Sequence, residues 1–392
     1  MADIIIIGAG PSGSIAAKKL SDEGFAVSLY EKDKIPRHKH CAGYISPRSI
    51  KILESIGIDC SPVIRQQITG FKIRCLDKYY DFIPEKSDVA SGNVYREEFD
   101  TFLSECARES GAKIIDSTGV TGISKNGDTR YTVFSNNGSE KSDIVIGADG
   151  VNSFTRKHLG IEYDKKKIGV ALETEITVDQ TVFEKYDNMN FYNMGSFDCG
   201  YSWIFPKISG DTINAGICVW VNETKKMNGT LMDMLHEFLR SLDWYNGQKI
   251  EPHGHLIPFM GTVKKLGKGN IILIGDAAGF VGVAGEGIPY AIDSGINAAE
   301  SIKRHYNGEG PLLELYTDSS KEMMNYLNWF VPQINKIMFS NQWLKHVLKL
   351  TKNDGGFRND LIKLMSHSMS IQDVFSTISF QNIMRAVLGR PS

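Results

Sequence analysis

Three glycines at fixed spacing stand between an apolar run and a helical pattern. Gly8-Ala-Gly10-Pro-Ser-Gly13 follows Asp3-Ile-Ile-Ile-Ile7, and Glu31 ends the next apolar run, 26–30. A turn of this kind can hold a pyrophosphate. Gly8 permits the tight turn, Gly10 lets backbone approach the phosphates, and Gly13 allows close packing of helix on strand. The helix N-terminus adds free N–H groups and the positive end of its dipole. A carboxylate at Glu31 would accept hydrogen bonds from ribose hydroxyls and repel a 2′-phosphate, which disfavours NADP. A lone GxGxxG arises easily by chance in a chain with 38 glycines; the strand–helix–strand setting and Glu31 give it weight.

The elements that must position such a site follow from the pattern of apolar residues. A strand at 3–7, a helix over 13–22 closed by Gly24, and a strand at 26–30 form a βαβ unit and predict a doubly wound parallel sheet. Short alternating strands are expected over 63–83, a helix from Arg96 to Ser110, strands over 130–147, and a mostly β, aromatic-rich stretch over 165–258. A buried strand returns at 271–275, followed by a turn and helix over 276–304, and from 311 the spacing is helical.

Composition sets the bounds. A chain of 392 residues, 42% hydrophobic and 23% charged, reads as an ordinary globular protein of two or three domains. Its 44 basic and 46 acidic residues leave no field that would draw nucleic acid. No run of 18 uncharged apolar residues appears, and a strand begins at once without a signal peptide, so a cytoplasmic protein is expected. The six cysteines (41, 60, 75, 106, 199 and 218) form no CxxC pair, which favours a reducing compartment over a disulfide or zinc framework. The pairs His38/His40 and His253/His255 lack a carboxylate or cysteine at ligand spacing, so no metal site is expected.

Two further segments carry a resemblance. Asp143-Ile-Val-Ile-Gly-Ala-Asp149-Gly150-Val-Asn-Ser-Phe-Thr-Arg156 resembles the DG motif of FAD-dependent hydroxylases related to para-hydroxybenzoate hydroxylase. Gly275-Asp276-Ala-Ala-Gly279 resembles their GD motif, whose aspartate binds the ribityl chain of FAD, and Arg96 matches an arginine that opens a helix near that chain. The bland reading of Asp149 and Asp276 is a turn or cap aspartate. The resemblance implies FAD as cofactor, with Lys32 beside Glu31 and Val120 among the residues that line it. It implies a Rossmann-type α/β (α+β overall) FAD-binding domain over 1–62, 92–160 and 262–306. A β-rich substrate domain over 63–91 and 161–261 and a helical region over 307–392 would complete the chain. No second GxGxxG follows an apolar strand, so an external electron donor (NAD(P)H, ferredoxin or another) has no Rossmann domain of its own here.

Within that superfamily the chain is similar to geranylgeranyl reductases, which saturate isoprenoid double bonds. Cys41-Ala42-Gly43 resembles their flavin-side Cys-Gly loop, and Tyr201-Ser-Trp203-Ile-Phe205-Pro206-Lys207 resembles their YxWxFP signature. Gly285-Glu-Gly287-Ile288, ahead of a helix rich in small residues, resembles the loop that cradles the isoalloxazine. One departure stands in Gly282-Val-Ala284, where the family often has a proline and one residue more. The implied reaction is reduction of C=C bonds in a lipid, quinone or similar isoprenoid by hydride from reduced flavin. An isolated alkene needs a proton early, which leaves positive charge on the tertiary carbon. Tyr201, Trp203 and Phe205 alternate along one strand and could line that carbon, since aromatic faces stabilise such charge by about 0.5–2 kcal/mol each. The plainer alternative is that they pack a core. Cys41 is either an inert buried thiol, a weak acid or a shaped contact. The rival readings are a flavin monooxygenase or a halogenase, which would use Lys72 or Lys78, and a flavin-binding protein without turnover. The segment 336–392, with eight Lys/Arg against three Asp/Glu plus Phe339, Trp343, Phe375 and Phe380, suits peripheral membrane contact, a substrate cap or a dimer contact.

Overall fold

The structure is a computed structural model that describes residues 3–75, 78–83, 91–125, 130–186, 188–194, 200–221, 229–338, 340, 355–365 and 369–377. It clusters into two compact units. The first comprises Met1–Lys39, Arg96–Asp164 and Ile257–Val331; the second comprises His40–Tyr95, Lys165–Leu256 and Pro332–Ser392. Residues 40–62, expected with the flavin-binding segments, therefore cluster with the second unit. The C-terminal region divides between both rather than standing alone.

The first unit is built on a six-stranded sheet. Its strands run in the order Gly267–Lys268, Ile271–Leu273, Ile144–Gly147, Asp3–Ile7, Ala26–Tyr30 and Lys113–Ile115, all parallel except the first. Ile4, Ile5 and Ile6 are at most 1% exposed, which is why the central strand reads as an unbroken apolar run: both its faces are covered. The helices Pro11–Asp22 and Ile288–Tyr306 approach so closely that a side chain at Gly295 would come within 2.6 Å of the Ser12 carbonyl oxygen.

The second unit carries a seven-stranded sheet in the order His253–Ile257, Gly169–Thr177, Thr212–Trp220, Gly200–Lys207, Met189–Met194, Gly70–Cys75 and Lys78–Phe82. Pairing is antiparallel from Gly169–Thr177 to Met189–Met194, parallel between Met189–Met194 and Gly70–Cys75, and antiparallel again to Lys78–Phe82. Side chains alternate between faces. Ile204, Ile213, Ala215, Ile217 and Val219 point to a core shared with Met234, Leu235, Phe238 and Leu239, so Tyr201, Trp203, Phe205 and Lys207 belong to the opposite face. The four core residues from Met234 to Leu239 sit on a helix, Leu231–Arg240, inside the stretch expected to be mostly β. A capping box starts it: Thr230 accepts from the Asp233 N–H, and Asp233 accepts from Thr230. No helix among the described residues is long and apolar enough to cross a membrane.

Candidate functional site

The three glycines of the phosphate turn do three different things. Gly8 has φ +108°, its N–H donates to the Tyr30 carbonyl at 2.7 Å, and a Cβ there would collide with backbone of Ala148. A Cβ at Gly13 would strike the Gly8 carbonyl oxygen, so close packing of helix on turn demands glycine. Gly10 is ordinary in conformation, caps the helix at φ −80°, and a Cβ there would meet nothing within 4 Å. The open space beside Gly10, at a helix N-terminus, is the cradle that a pyrophosphate would fill.

Glu31 is buried at the end of its strand, and its carboxylate is shared. Oε2 accepts from the Ala9 N–H at 3.1 Å and lies 3.0 Å from Nε of Arg37, while Oε1 accepts from the Asp33 N–H at 3.2 Å. A carboxylate offers about four acceptor sites, so one on Oε1 is left for a ribose hydroxyl. Arg37 also reaches Asp100 at 3.1 Å and the Ala9 carbonyl at 3.1 Å, and Arg96 grips Asp100 at 2.8 and 3.0 Å. Two carboxylates and two guanidinium groups thus balance beneath the turn, as buried charges must. Arg37 and Asp100 escaped the sequence reading; the i,i+4 spacing of Arg96 and Asp100 was the available signal. Lys32 points to solvent, its side chain 78% exposed, and Val120 packs against the cluster of Ile5, Tyr30 and Val145.

The two aspartates differ. Asp149 is used by its own loop: it accepts from the Ser153 hydroxyl and from Thr155, N–H at 2.8 Å and hydroxyl at 3.0 Å. Arg156 then ties this loop to the second motif, donating to Val151 at 2.6 Å and to the Ala277 carbonyl at 3.1 Å. Asp276 is half-buried in the turn Gly275–Ala277. Burial pushes its carboxyl up from the ordinary value, against the pull of Lys39 and Arg96. A Cβ at Gly287 would lie 3.5 Å from its Oδ1. Gly285 takes φ +84°, Ala284 takes φ +54°, and the loop closes through the Gly282 N–H on the Glu286 carbonyl at 2.7 Å, ahead of buried Ile288. A Cβ at Gly275 would lie 2.6 Å from the Ser12 hydroxyl, so the GD turn abuts the phosphate turn. The residues present fit an FAD: a phosphate cradle, a ribose acceptor and, beside Gly287, a carboxylate on the turn that abuts that cradle.

In the second unit, Gly43 has φ +85°, and a Cβ there would collide with the Val94 carbonyl; its N–H donates to Sγ of half-buried Cys41 at 3.4 Å, with Ala42 between them. Across the sheet face, Tyr201 and Trp203 have ring centroids 5.8 Å apart, and Tyr192 lies 6.0 Å from Tyr201 and 5.3 Å, edge-on, from Phe205. Tyr44 and Phe71 extend the set at 6.3 Å from Phe205 and Tyr192. The signature residues Tyr201, Trp203 and Phe205 are all under 9% exposed. Burial raises the Tyr201 phenol well above its ordinary value, helped by Cys218 beside it, and pushes Cys218 up to about 12, so both stay protonated at neutral pH. His40 and His253 stack with ring centroids 4.3 Å apart, and among the described residues no group of three or more His, Cys, Asp or Glu could hold a metal ion. Lys72 pairs with Asp81 at 3.5 Å; the surroundings of the Lys78 side chain lie outside the described residues.

A model of the FAD binding domain matches residues 1–327. Digeranylgeranylglycerophospholipid reductase from Methanococcus vannielii is 32% identical over 94% of this chain and 88% of its own. The chain belongs to this reductase family of FAD-binding proteins. It is an FAD-dependent oxidoreductase. A second family member, from Methanococcus aeolicus, is 31% identical over 82% of each chain. The fold is shared more widely. A geranylgeranyl bacteriochlorophyll reductase-like protein from Thermoplasma acidophilum superposes with TM-score 0.79 at 22% identity, covering 98% of this chain and 95% of its own. A flavin-dependent brominase does so with TM-score 0.78 at 16% identity over the whole of both chains. Reductase and halogenase therefore share this architecture, and only the sequence relatives separate them.

Proposed function

We propose that the protein saturates C=C bonds in the geranylgeranyl or related isoprenoid chains of a lipid. The first unit would hold FAD through Gly8, Gly10, Gly13, Glu31, Arg96 and Asp276, and the second would hold the chain to be reduced. Bound and reduced, FAD supplies the hydride; an external donor must recharge it. The observation that carries the reading is the continuous aromatic face of Tyr44, Phe71, Tyr192, Tyr201, Trp203 and Phe205. An isoprenoid is apolar and offers no handle for hydrogen bonds, so a wall of rings is the surface that suits it. The same rings oppose little cost to the positive charge that protonation leaves on the tertiary carbon, and their burial keeps water from trapping it. The phenol of Tyr201 and the thiol of Cys218 stay neutral there, adding no anion that would collapse the charge.

Mass spectrometry of lipids after co-expression with a geranylgeranyl lipid pathway tests this directly. Gains of about 2 Da per double bond are expected, while gains of about 16 Da or halide-dependent products would replace the reductase reading with oxygenation or halogenation, which share the scaffold. Loss of halide-dependent product in Lys72→Ala would assign the lysine; the ion pair to Asp81 argues against that role.

A further inference from the structure

Trp203 is held by more than packing. Its indole Nε1 donates to Oδ1 of Asn214 at 2.7 Å, and Nδ2 of Asn214 donates to Oε1 of Glu175 at 3.0 Å. The same Oε1 accepts from Lys207, whose ammonium is 1% exposed and stands 4.7 Å over the ring of Tyr95. Tyr95 in turn bonds Thr212. Register builds this chain: Glu175 faces Asn214, Asn214 faces Phe205, and Lys207 faces Thr212 across adjacent strands. On one face of the indole, Trp203 stands opposite Gly216, and a Cβ there would collide with Cζ2. The indole therefore lies flat over bare backbone.

The order of donors fixes each group. A carboxylate only accepts, so Asn214 must turn its NH₂ toward Glu175, which leaves its oxygen for the indole N–H. Turning the amide over would set two donors face to face at one end and two acceptors at the other. Asn214 is 1% exposed, so both ends of its amide need partners within the fold. Lys207 pairs with Glu175 as an ion pair, and the Tyr95 ring lies under its ammonium. A tryptophan that merely fills a core needs one partner for its N–H, not four polar groups in series.

We infer that Asn214, set by Glu175 and Lys207 and given room by Gly216, is a positioning residue that fixes the plane of the Trp203 indole against the isoprenoid. This rests on the reading of Trp203 as a π-face for the reaction. The test uses FAD-loaded enzyme labelled with 15N-tryptophan and a geranylgeranylglycerol ether lipid dispersed in detergent. The indole N–H resonance of Trp203, assigned by its loss in Trp203→Phe, should move upfield in Asn214→Leu and exchange faster with deuterium. Flavin content should hold, and kcat should fall about tenfold with KM nearly unchanged, the mark of a contact that matters in the transition state. Asn214→Asp combined with Glu175→Gln keeps an acceptor for the indole and shifts the negative charge by one residue. It should restore both the resonance and kcat. Normal turnover by Trp203→Leu would remove the π-face reading and the positioning role with it. Impaired turnover by Trp203→Leu beside normal kcat in Asn214→Leu, or a double variant that restores the resonance but not kcat, would overturn the positioning role alone.

Discussion

Asp276 sits where two demands conflict. Burial raises its carboxyl above the ordinary value, with Lys39 and Arg96 opposing. The folded chain therefore holds the proton more tightly than the unfolded one, and stability must fall as pH rises past the unfolded value, near 3.9. Apoprotein of Asp276→Asn should melt higher than the parent at neutral pH, with the gap closing as pH drops toward 4. The same variant should release FAD more readily, since the amide loses the charge that draws ribityl hydroxyls. A variant that melts lower at neutral pH would show that burial does not dominate. Trp203 makes a second conflict visible. Trp203→Leu should keep FAD and lose about 10- to 30-fold in flavin reoxidation by alkene, from about 1.4–2 kcal/mol of cation–π stabilisation. Trp203→Phe should recover much of that rate yet melt earlier, because the buried Asn214 oxygen is then left unpaired at a cost of about 1–3 kcal/mol. Reoxidation at the parent rate by Trp203→Leu would reduce the ring to a core residue.

At the scale of elements, the parallel sheet was legible because its strands carry a pattern that needs no partner to interpret. Asp3–Ile7 is apolar throughout, and Gly8 to Gly13 follow it at fixed spacing. The phosphate turn makes that legibility testable. Gly10→Ala meets no atom within 4 Å, so apoprotein should fold with an unchanged melting temperature and take up less FAD. Gly13→Ala drives a methyl into the Gly8 carbonyl oxygen and should cost about 1–3 kcal/mol of stability, as overpacking does. Equal flavin occupancy in Gly10→Ala and the parent, measured by absorbance after gel filtration, would move the pyrophosphate elsewhere. What the sequence hid was lateral. Tyr192 joins Phe205 and Tyr201 only because Met189–Met194 pairs with Gly200–Lys207, and register across strands leaves no trace along the chain. Arg37, in a loop, meets Asp100 on the helix Arg96–Glu109 across 63 residues, a contact that is equally silent along the chain. The helix Leu231–Arg240 was different: the Thr230–Asp233 box and the spacing of Met234, Leu235, Phe238 and Leu239 were present, but the aromatic strands before it set the period read there.

Over the whole molecule the charge is nearly balanced, at −2 in 392 residues, so attraction to a surface must come from a local excess. The stretch 336–392 holds it, with eight Lys/Arg against three Asp/Glu. Within it the helices Gly355–Met365 and Ile371–Thr377 bury Leu361, Leu364 and Val374, while Phe339, Trp343, Phe380 and the side chain of Phe375 lie outside the described residues. The proposed lipid substrate resides in a bilayer, and this basic stretch is the part of the sequence whose charge suits an anionic membrane surface. Each basic side chain near an anionic leaflet contributes about 1 kcal/mol, over a screening distance of about 8 Å at physiological salt. The protein should therefore sediment with vesicles containing phosphatidylglycerol, much less with phosphatidylcholine alone, and come off as salt rises to about 0.5 M. Replacing Lys345, Lys349 and Lys352 together with glutamine should lower the partition about 100-fold, three contributions of that size. Turnover of detergent-dispersed lipid should be unchanged, because no bilayer is then involved. Salt-insensitive binding to neutral vesicles would point to apolar insertion instead, and failure to sediment with either vesicle would leave the basic stretch to capping or dimerisation.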